Sequence, residues 1–203
     1  MTRSYTPVPN HYMPNKYTAP CISLLIKSYE NGYFSRFLTE DWQRSDKIIK
    51  ASMPKGNFML KNFKLHKKVC ILVGGSGITP ILSILDYIHD NKTLNVIIHL
   101  IFFNRTEEDI WCRNNLDNLS INDNRFIIQY ILSAKISDDD DDTALDTSNT
   151  IINKQLSYEL LKSLIKIDTT FFLICGPPKF NDLTTNLLYE LQYTDENIHC
   201  FQG

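Results

Sequence analysis

The stretch KKVCILVGGSGITPILSILDYI, residues 67–88, constrains the fold more than any other part of the chain. Val69-Cys70-Ile71-Leu72-Val73 is an unbroken apolar run rich in β-branched residues, the pattern of a strand buried on both faces of a parallel sheet. Ile81, Leu82, Ile84, Leu85 and Ile88 then recur at helical spacing. Thr79 is placed to cap that helix and Pro80 to occupy its first position, where a missing N–H costs nothing. Between strand and helix lie Gly74-Gly75-Ser76-Gly77. With almost no side chains in the way, backbone N–H groups and the positive end of the helix can close on an anion, and a phosphate would fit. Each such dipole contact is worth roughly 0.3–1 kcal/mol when exposed, so several amides must converge for useful binding. The spacing departs from the G-x-G-x-x-G turn, because Pro80 stands where a third glycine would be. On its own the turn supports two readings: a phosphate cradle, or a tight connection whose glycines only permit close packing.

The rest of the chain predicts alternation of strand and helix. Strands are expected at Asn95–Phe103, Phe126–Leu132, Phe171–Cys175 and Ile198–Phe201, and helices at Thr106–Leu119, Asn153–Ile165 and Lys179–Leu191. Thr106 with Asp109 reads as a helix N-terminal cap. Such alternation predicts an α/β fold with an open, doubly wound, mostly parallel sheet and a ligand at the carboxyl ends of its strands. The glycine turn lies at that end, as does Cys175-Gly176-Pro177-Pro178. Upstream of about Asn62 the texture changes. Cys21–Tyr29 and Asp46–Ser52 alternate like strands of antiparallel structure around the short segment Tyr33–Leu38. A boundary near Asn62 divides the chain into residues 1–62 and 63–203, joined by a linker, 61–68, that carries four lysines. The acidic run Asp138–Asp142 reads as a solvated loop.

Bulk properties exclude several classes. A chain of 203 residues with net charge −2 has a globular core but no field to attract nucleic acid. The longest apolar run, Leu94–Phe103, falls far short of a membrane span and no signal-peptide pattern follows Met1. Five scattered cysteines without C-x-x-C or a His/Cys cluster argue against a disulfide framework and against a metal site, and for a reducing compartment.

Four ordered segments carry a resemblance to a known family. RSYTPV (3–8) resembles an R-x-Y-[ST] motif, NGYFS (31–35) a G-x-x-S motif, GGSGITP (74–80) a G-G-[ST]-G-I-T-P turn and CGPP (175–178) a C-G-P-P motif. Together they resemble the NADH-cytochrome b5 reductase family of the ferredoxin reductase superfamily. IFFNRTEEDIW and ENIHCF are most similar to the reductase module of flavohaemoproteins that fuse a cytochrome b5 domain to such a reductase. The resemblance implies an enzyme in which an antiparallel β-barrel holds FAD, a doubly wound domain holds NADH, and electrons leave singly to cytochrome b5 or a b5-like haem domain. It implies a cytoplasmic location or association with the endoplasmic reticulum. Met1 stands two residues before R-x-Y-T, and the first half of a family barrel and the haem domain have no counterpart, so the chain is expected to be N-terminally truncated. A truncated module that binds NADH but holds no flavin is the alternative reading.

Residue by residue, the resemblance gives Arg3 the FAD pyrophosphate, Tyr5 the isoalloxazine face and Thr6 a hydrogen bond near flavin N5. Gly32 and Ser35 would serve the same pyrophosphate, and Lys27 the nicotinamide nucleotide. Gly74, Gly75, Ser76, Gly77 and Thr79 would receive the NADH phosphates and nicotinamide ribose. Cys175 would border the nicotinamide C4, with Gly176 and Pro177 keeping the backbone close and stiff. Thr6 and Cys175 are thus the expected catalytic pair, acting by position, because hydride transfer needs approach and orientation and not a nucleophile. Asp138–Asp142, following the strand Phe126–Leu132, favours NADH over NADPH if a carboxylate reaches the adenosine ribose, while Lys135 argues the other way. The linker lysines would face an acidic electron acceptor.

Overall fold

The computed structural model describes residues 3–13, 21–28, 31–44, 46, 48–52, 63, 65–133, 151–166 and 169–201. The expected domain boundary at Asn62, Lys135 and the run Asp138–Asp142 lie outside the described residues. In chain order the elements are β1 Pro7–Val8, β2 Ser23–Leu24, α1 Tyr33–Arg36, β3 Lys68–Gly74, α2 Ile78–Asp90, β4 Ile97–Asn104 and α3 Arg113–Asn122. They continue with β5 Phe126–Leu132, β6 Ile151–Asn153, α4 Tyr158–Leu164, β7 Phe171–Cys175, α5 Pro178–Glu190 and β8 Ile198–Cys200. Strands β3 to β8 form one sheet in the order β6-β5-β4-β3-β7-β8, every pair parallel.

The parity of β3 explains its two-sided burial. Val69, Ile71 and Val73 face a cluster with Ile78, Ile81, Leu82, Leu85 and Ile88 of α2 and Leu116 of α3. Cys70 and Leu72 face the opposite cluster, built with Leu160, Leu161 and Leu164 of α4 and Leu187 and Leu188 of α5. The sheet is therefore wound on both sides. The chain moves outward from β3 through β4, β5 and β6, then returns past β3 to β7 and β8. The switch in direction falls between β3 and β7, and such a point opens a crevice at the strands' carboxyl ends.

Strand expectations hold closely here, and the departures have local causes. Helix α2 starts at Ile78 behind Gly77, so Thr79 is not its cap; the Thr79 hydroxyl instead donates back to the Ser76 carbonyl at 3.2 Å. The helix expected over Thr106–Leu119 is split, because Cys112 takes a left-handed φ of 59° that no right-handed helix can run through. Thr106 stands at the N-cap position of only the single turn Glu107–Asp109, and its hydroxyl donates to the Asp109 carboxylate at 3.4 Å instead of accepting from the turn's backbone. The helix expected from Asn153 begins at Tyr158, where the Ser157 side chain accepts the Leu160 N–H at 3.3 Å; Ile151–Asn153 pairs with β5 as β6 instead. At the N-terminal end, β1 and β2 pair antiparallel, but among the described residues of the strand expected over Cys21–Tyr29 only Ser23–Leu24 is strand. Its partner β1 is likewise two residues long, so the ladder among the described residues stops there. Among the described residues Asp46–Ser52 forms no strand, and Ile48 is 85% exposed with no sheet face to cover it. Tyr33–Leu38 is helical, α1 passing into a π-helical turn at Phe37–Asp41. Among the described residues no helix is long and apolar enough to cross a membrane.

One buried ion network ties α2 to β5 at the end of the sheet opposite the crevice. Asp123 is 8% exposed and receives Arg125 Nη2 at 2.6 Å, with Lys92 Nζ at 3.1 Å and His89 Nδ1 at 3.2 Å. The Arg125 guanidinium also donates to the carbonyls of His89, Asn91 and Leu94, satisfying the orphan acceptors where α2 ends. Hydrogen bonds from Arg125, then from Lys92, hold the Asp123 carboxyl well below the usual carboxylate range. Removing one partner of a buried pair costs about 3–5 kcal/mol. Arg125→Ala should fall at the low end of that range in chemical denaturation, since Lys92 and His89 still face the carboxylate. Because the folded-state pKa of Asp123 is depressed, its contribution is fully present above the unfolded value of about 3.9 and is lost as pH falls through the folded value. Acid unfolding below about pH 4 should accordingly be steeper in the wild type than in Asp123→Asn.

Candidate functional site

Val73 pairs with Cys175 across β3 and β7, and Gly74 pairs with Phe103 across β3 and β4. The turns that follow β3 and β7 therefore meet. A Cβ on Gly77 would lie 2.2 Å from the Cys175 carbonyl oxygen and 2.8 Å from the Gly176 nitrogen, so backbone touches backbone and only glycine fits. Phe180, in the first turn of α5, roofs the other two close glycines: a Cβ would come within 2.5 Å of its ring from Gly176 and 2.9 Å from Gly74. Its ring leans on Phe103, centroids 5.5 Å apart. Gly75 differs, having φ of +52° and open space where its Cβ would stand. The positive φ turns the chain at that point, the use to which a glycine is best suited.

Above this floor is a cleft of about 350 Å³. Gly74, Gly75, Phe103, Asn104, Pro177 and Phe180 line it on the sheet side, and Lys27, Asp109, Ser133 and Lys154 contribute around it. Lys27 reaches the cleft from the segment after β2, and its ammonium donates to Asp109 Oδ1 at 2.8 Å. That bond holds the Asp109 carboxyl below its ordinary range. Cys175 is 8% exposed; burial, with Cys200 nearby, pushes its thiol up to about 12. It is a neutral thiol at physiological pH, unsuited to nucleophilic attack and suited to shaping a wall.

Of the residues singled out from the sequence, Gly74, Gly75, Pro177 and Lys27 line the cleft. Gly77, Cys175 and Gly176 form the turn-to-turn contact beneath it, and Ser76 and Thr79 brace each other within the turn. The remaining ones cluster at the N-terminal segment. Tyr5 and Phe34 stack with centroids 6.2 Å apart, bringing the R-x-Y-T and G-x-x-S segments together. Gly32 is the N-cap of α1, and the buried Ser35 hydroxyl donates to its carbonyl at 3.0 Å, fastening the turn. Thr6 is half-buried just before β1, and Arg3 is exposed. Sequence reasoning missed Phe103, Asn104, Asp109 and Phe180. Asn104 and Asp109 sit inside IFFNRTEEDIW, where resemblance to the family was the available signal; nothing in the sequence marks Phe180.

The arrangement suits a phosphorylated, extended ligand: side-chain-free amides at the head of a helix, a lysine at the rim and apolar rings beside them. Residues 71–186 match the oxidoreductase NAD-binding domain family. The chain belongs to that family. It is 31% identical over 211 residues to cytochrome b5 reductase 4 of Homo sapiens, covering 99% of this chain and 38% of that protein. It is 30% identical over 199 residues to NADH-cytochrome b5 reductase 1 of Dictyostelium discoideum, covering 98% of this chain and 64% of that protein. The structure of the CS-b5R domains of human Ncb5or in its NAD+ form superposes with a TM-score of 0.73 at 28% identity, covering 98% of this chain and 55% of that one. A ferredoxin NADP+ reductase from Neisseria gonorrhoeae, with FAD and NADP bound, shares the fold at a TM-score of 0.62 and 20% identity, over 89% of this chain and 72% of that one. The family match runs from within β3 to within α5, and the segment before it aligns with the same relatives.

Two glycine substitutions should separate packing from conformation. Gly77→Ala drives a methyl into backbone and should cost at least the upper end of about 1–3 kcal/mol, with loss of NAD+ binding. Gly75→Ala meets no atoms and should cost only the left-handed strain, about 1–2 kcal/mol. Thermal unfolding and NAD+ titration of both variants check the order; equal effects would contradict the packing argument.

Proposed function

We propose that the chain is the working part of a flavin-dependent oxidoreductase that passes hydride from NADH to FAD and then single electrons to a haem protein such as cytochrome b5. The observation that carries this reading is the contact of Gly77 with Cys175 and Gly176, which builds one floor from two motifs a hundred residues apart at the sheet's switch point. Residues 1–62 serve the flavin and 63–203 the dinucleotide. Bound NADH supplies the hydride, and bound FAD accepts it and releases electrons one at a time.

The chain's own part is placement. Amides of Gly74, Gly75, Ser76 and Gly77, with the Thr79 side, receive the phosphates and nicotinamide ribose at the start of α2. Cys175, Gly176 and Pro177 bound the pocket for the nicotinamide and exclude water from it. Lys27, fixed by Asp109, keeps a cation at the rim facing the ligand. On the flavin side, Arg3 offers a fork of donors to the pyrophosphate, Tyr5 lies along the ring, and Thr6 hydrogen-bonds near the hydride-accepting atom. Gly32 and Ser35 present the turn at the start of α1. The linker lysines, among them the exposed Lys67, steer an acidic acceptor.

A second reading, a dinucleotide-binding module without stable flavin, is favoured by one observation. The flavin-side sheet is two residues long per strand, with Ile22 77% and Tyr33 69% exposed. Visible absorbance and NADH-dependent ferricyanide reduction decide between the two. A yellow, active protein is expected; a colourless protein that still binds NAD+ would establish the second reading, and failure to bind NAD+ would sink both. For coenzyme choice the reading takes NADH, through the acidic run Asp138–Asp142. Replacing those aspartates with serines should narrow the preference for NADH over NADPH, and an unchanged kcat/KM ratio would mean that the run does not reach the ribose.

A further inference from the structure

Among its described residues the cleft is lined by three cations, Lys27, Arg105 and Lys154, and by one carboxylate, Asp109. The polar side chains between them, Asn104, Ser133 and Gln155, are neutral, and the buried Asn104 amide has no hydrogen-bond partner among the described residues. Asp109 holds Lys27, whose Nζ donates to Oδ1 at 2.8 Å. Glu107, two residues earlier on the same turn, is held instead by Arg113, and neither of those residues lines the cleft.

Two features make the Lys27–Asp109 pair easy to open. It is partly exposed, with side-chain accessibilities of 39% and 27%, and ion pairs so placed are weak. Each end also keeps company when the other leaves. The Thr106 hydroxyl donates to Asp109 Oδ2 at 3.4 Å, so the carboxylate retains a donor, while the lysine head is a compact charge on a flexible stem that swings freely.

Resting on the dinucleotide reading above, we infer that Asp109 is a built-in competitor for the ligand: its carboxylate occupies the Lys27 ammonium, and the phosphates of the entering dinucleotide must take the lysine from it. Carboxylate and phosphate oxygens are acceptors of the same kind for an ammonium, and two anions brought to one cation repel each other. Three cations against one carboxylate leave the cleft net positive, so it still draws the ligand in, and Asp109 limits how tightly it is then held. The phosphates are the same in NADH and NAD+. The competition therefore weakens substrate and product alike and favours release after hydride transfer, an effect on ground-state binding and not on the chemical step.

The test titrates NAD+ and inorganic pyrophosphate calorimetrically into the full chain as wild type, Asp109→Asn, Lys27→Met and the double variant. Asp109→Asn should bind NAD+ about two- to fivefold tighter than wild type, the range set by a partly exposed ion pair, with pyrophosphate shifted the same way. Lys27→Met should bind both ligands more weakly, and Asp109→Asn added to it should gain less than it does beside the native lysine, because no pair is left to break. Weaker NAD+ binding by Asp109→Asn overturns the inference and makes the acid a support for Lys27. Unchanged binding also overturns it, as do equal gains with and without Lys27, which would mean that the carboxylate only repels, and a Lys27→Met variant that binds like wild type. Where Asp109→Asn does not fold, Asp109→Ala repeats the comparison, and failure of both makes the acid structural and ends the inference. Any of these outcomes with wild-type protein that binds NAD+ defeats the competition alone; wild-type protein that does not bind NAD+ defeats the dinucleotide reading itself.

Discussion

The Cys175 carbonyl faces Gly77 with no side chain between them, and the rest of the cleft follows from that approach. The parallel register of β3 and β7 brings Val73 opposite Cys175, so the turns leaving both strands are forced together. Neither strand can shift to make room, because β3 is packed on both faces and sits between β4 and β7. Sliding it by one residue would turn Cys70 and Leu72 toward α2 and expose the opposite cluster to the wrong partners. The glycines are therefore a consequence of the sheet. The amides they leave uncovered at the start of α2 are the chemical gain.

A second constraint joins the N-terminal segment to this sheet. Val8 and Tyr12 lie inside the α2-side core, and the Tyr12 hydroxyl donates to Asp86 of α2 at 2.8 Å. Burial first, and the Asp86 bond second, push the Tyr12 phenol well above its ordinary pKa, so it stays protonated and keeps donating. Burying a side chain of that size contributes roughly 1.5–3 kcal/mol. The Lys27–Asp109 pair, partly exposed, falls in the class of about 0.2–1 kcal/mol. Tyr12 thus sets the attachment, and Lys27 fixes direction at the cleft. Tyr5 and Phe34 stack within the same segment, so two of its motifs are held to each other.

What could be read from residues alone tracks how local each cause is. Phe126–Leu132 and Phe171–Cys175 are strands as expected, since short runs rich in aromatic and aliphatic residues pack well on a half-buried or buried sheet. The split before α3 depends on one left-handed residue, Cys112, a type not known for that conformation. Ile151–Asn153 is a strand because β5 offers an edge, a fact absent from its own three residues. The glycine turns were legible because missing side chains are visible in a sequence. Phe180 was not, since its part is to cover Gly74 and Gly176 from another element, and Asn104 was quoted within a motif without its unpaired amide being foreseeable.

The site that results works through position. Cys175 is held as a thiol by burial, and Lys27 and Asp109 satisfy each other, so the groups nearest the glycine floor are arranged to stay in one state. A reaction that required a proton to be taken and returned at pH 7 would want a group poised to titrate there. Hydride transfer requires instead that two rings be brought close, oriented and kept dry. Backbone against backbone at Gly77, Phe180 resting on Phe103 and a buried carboxamide without a partner among the described residues fix the surroundings of the cleft, which is the kind of order that the proposed reaction needs.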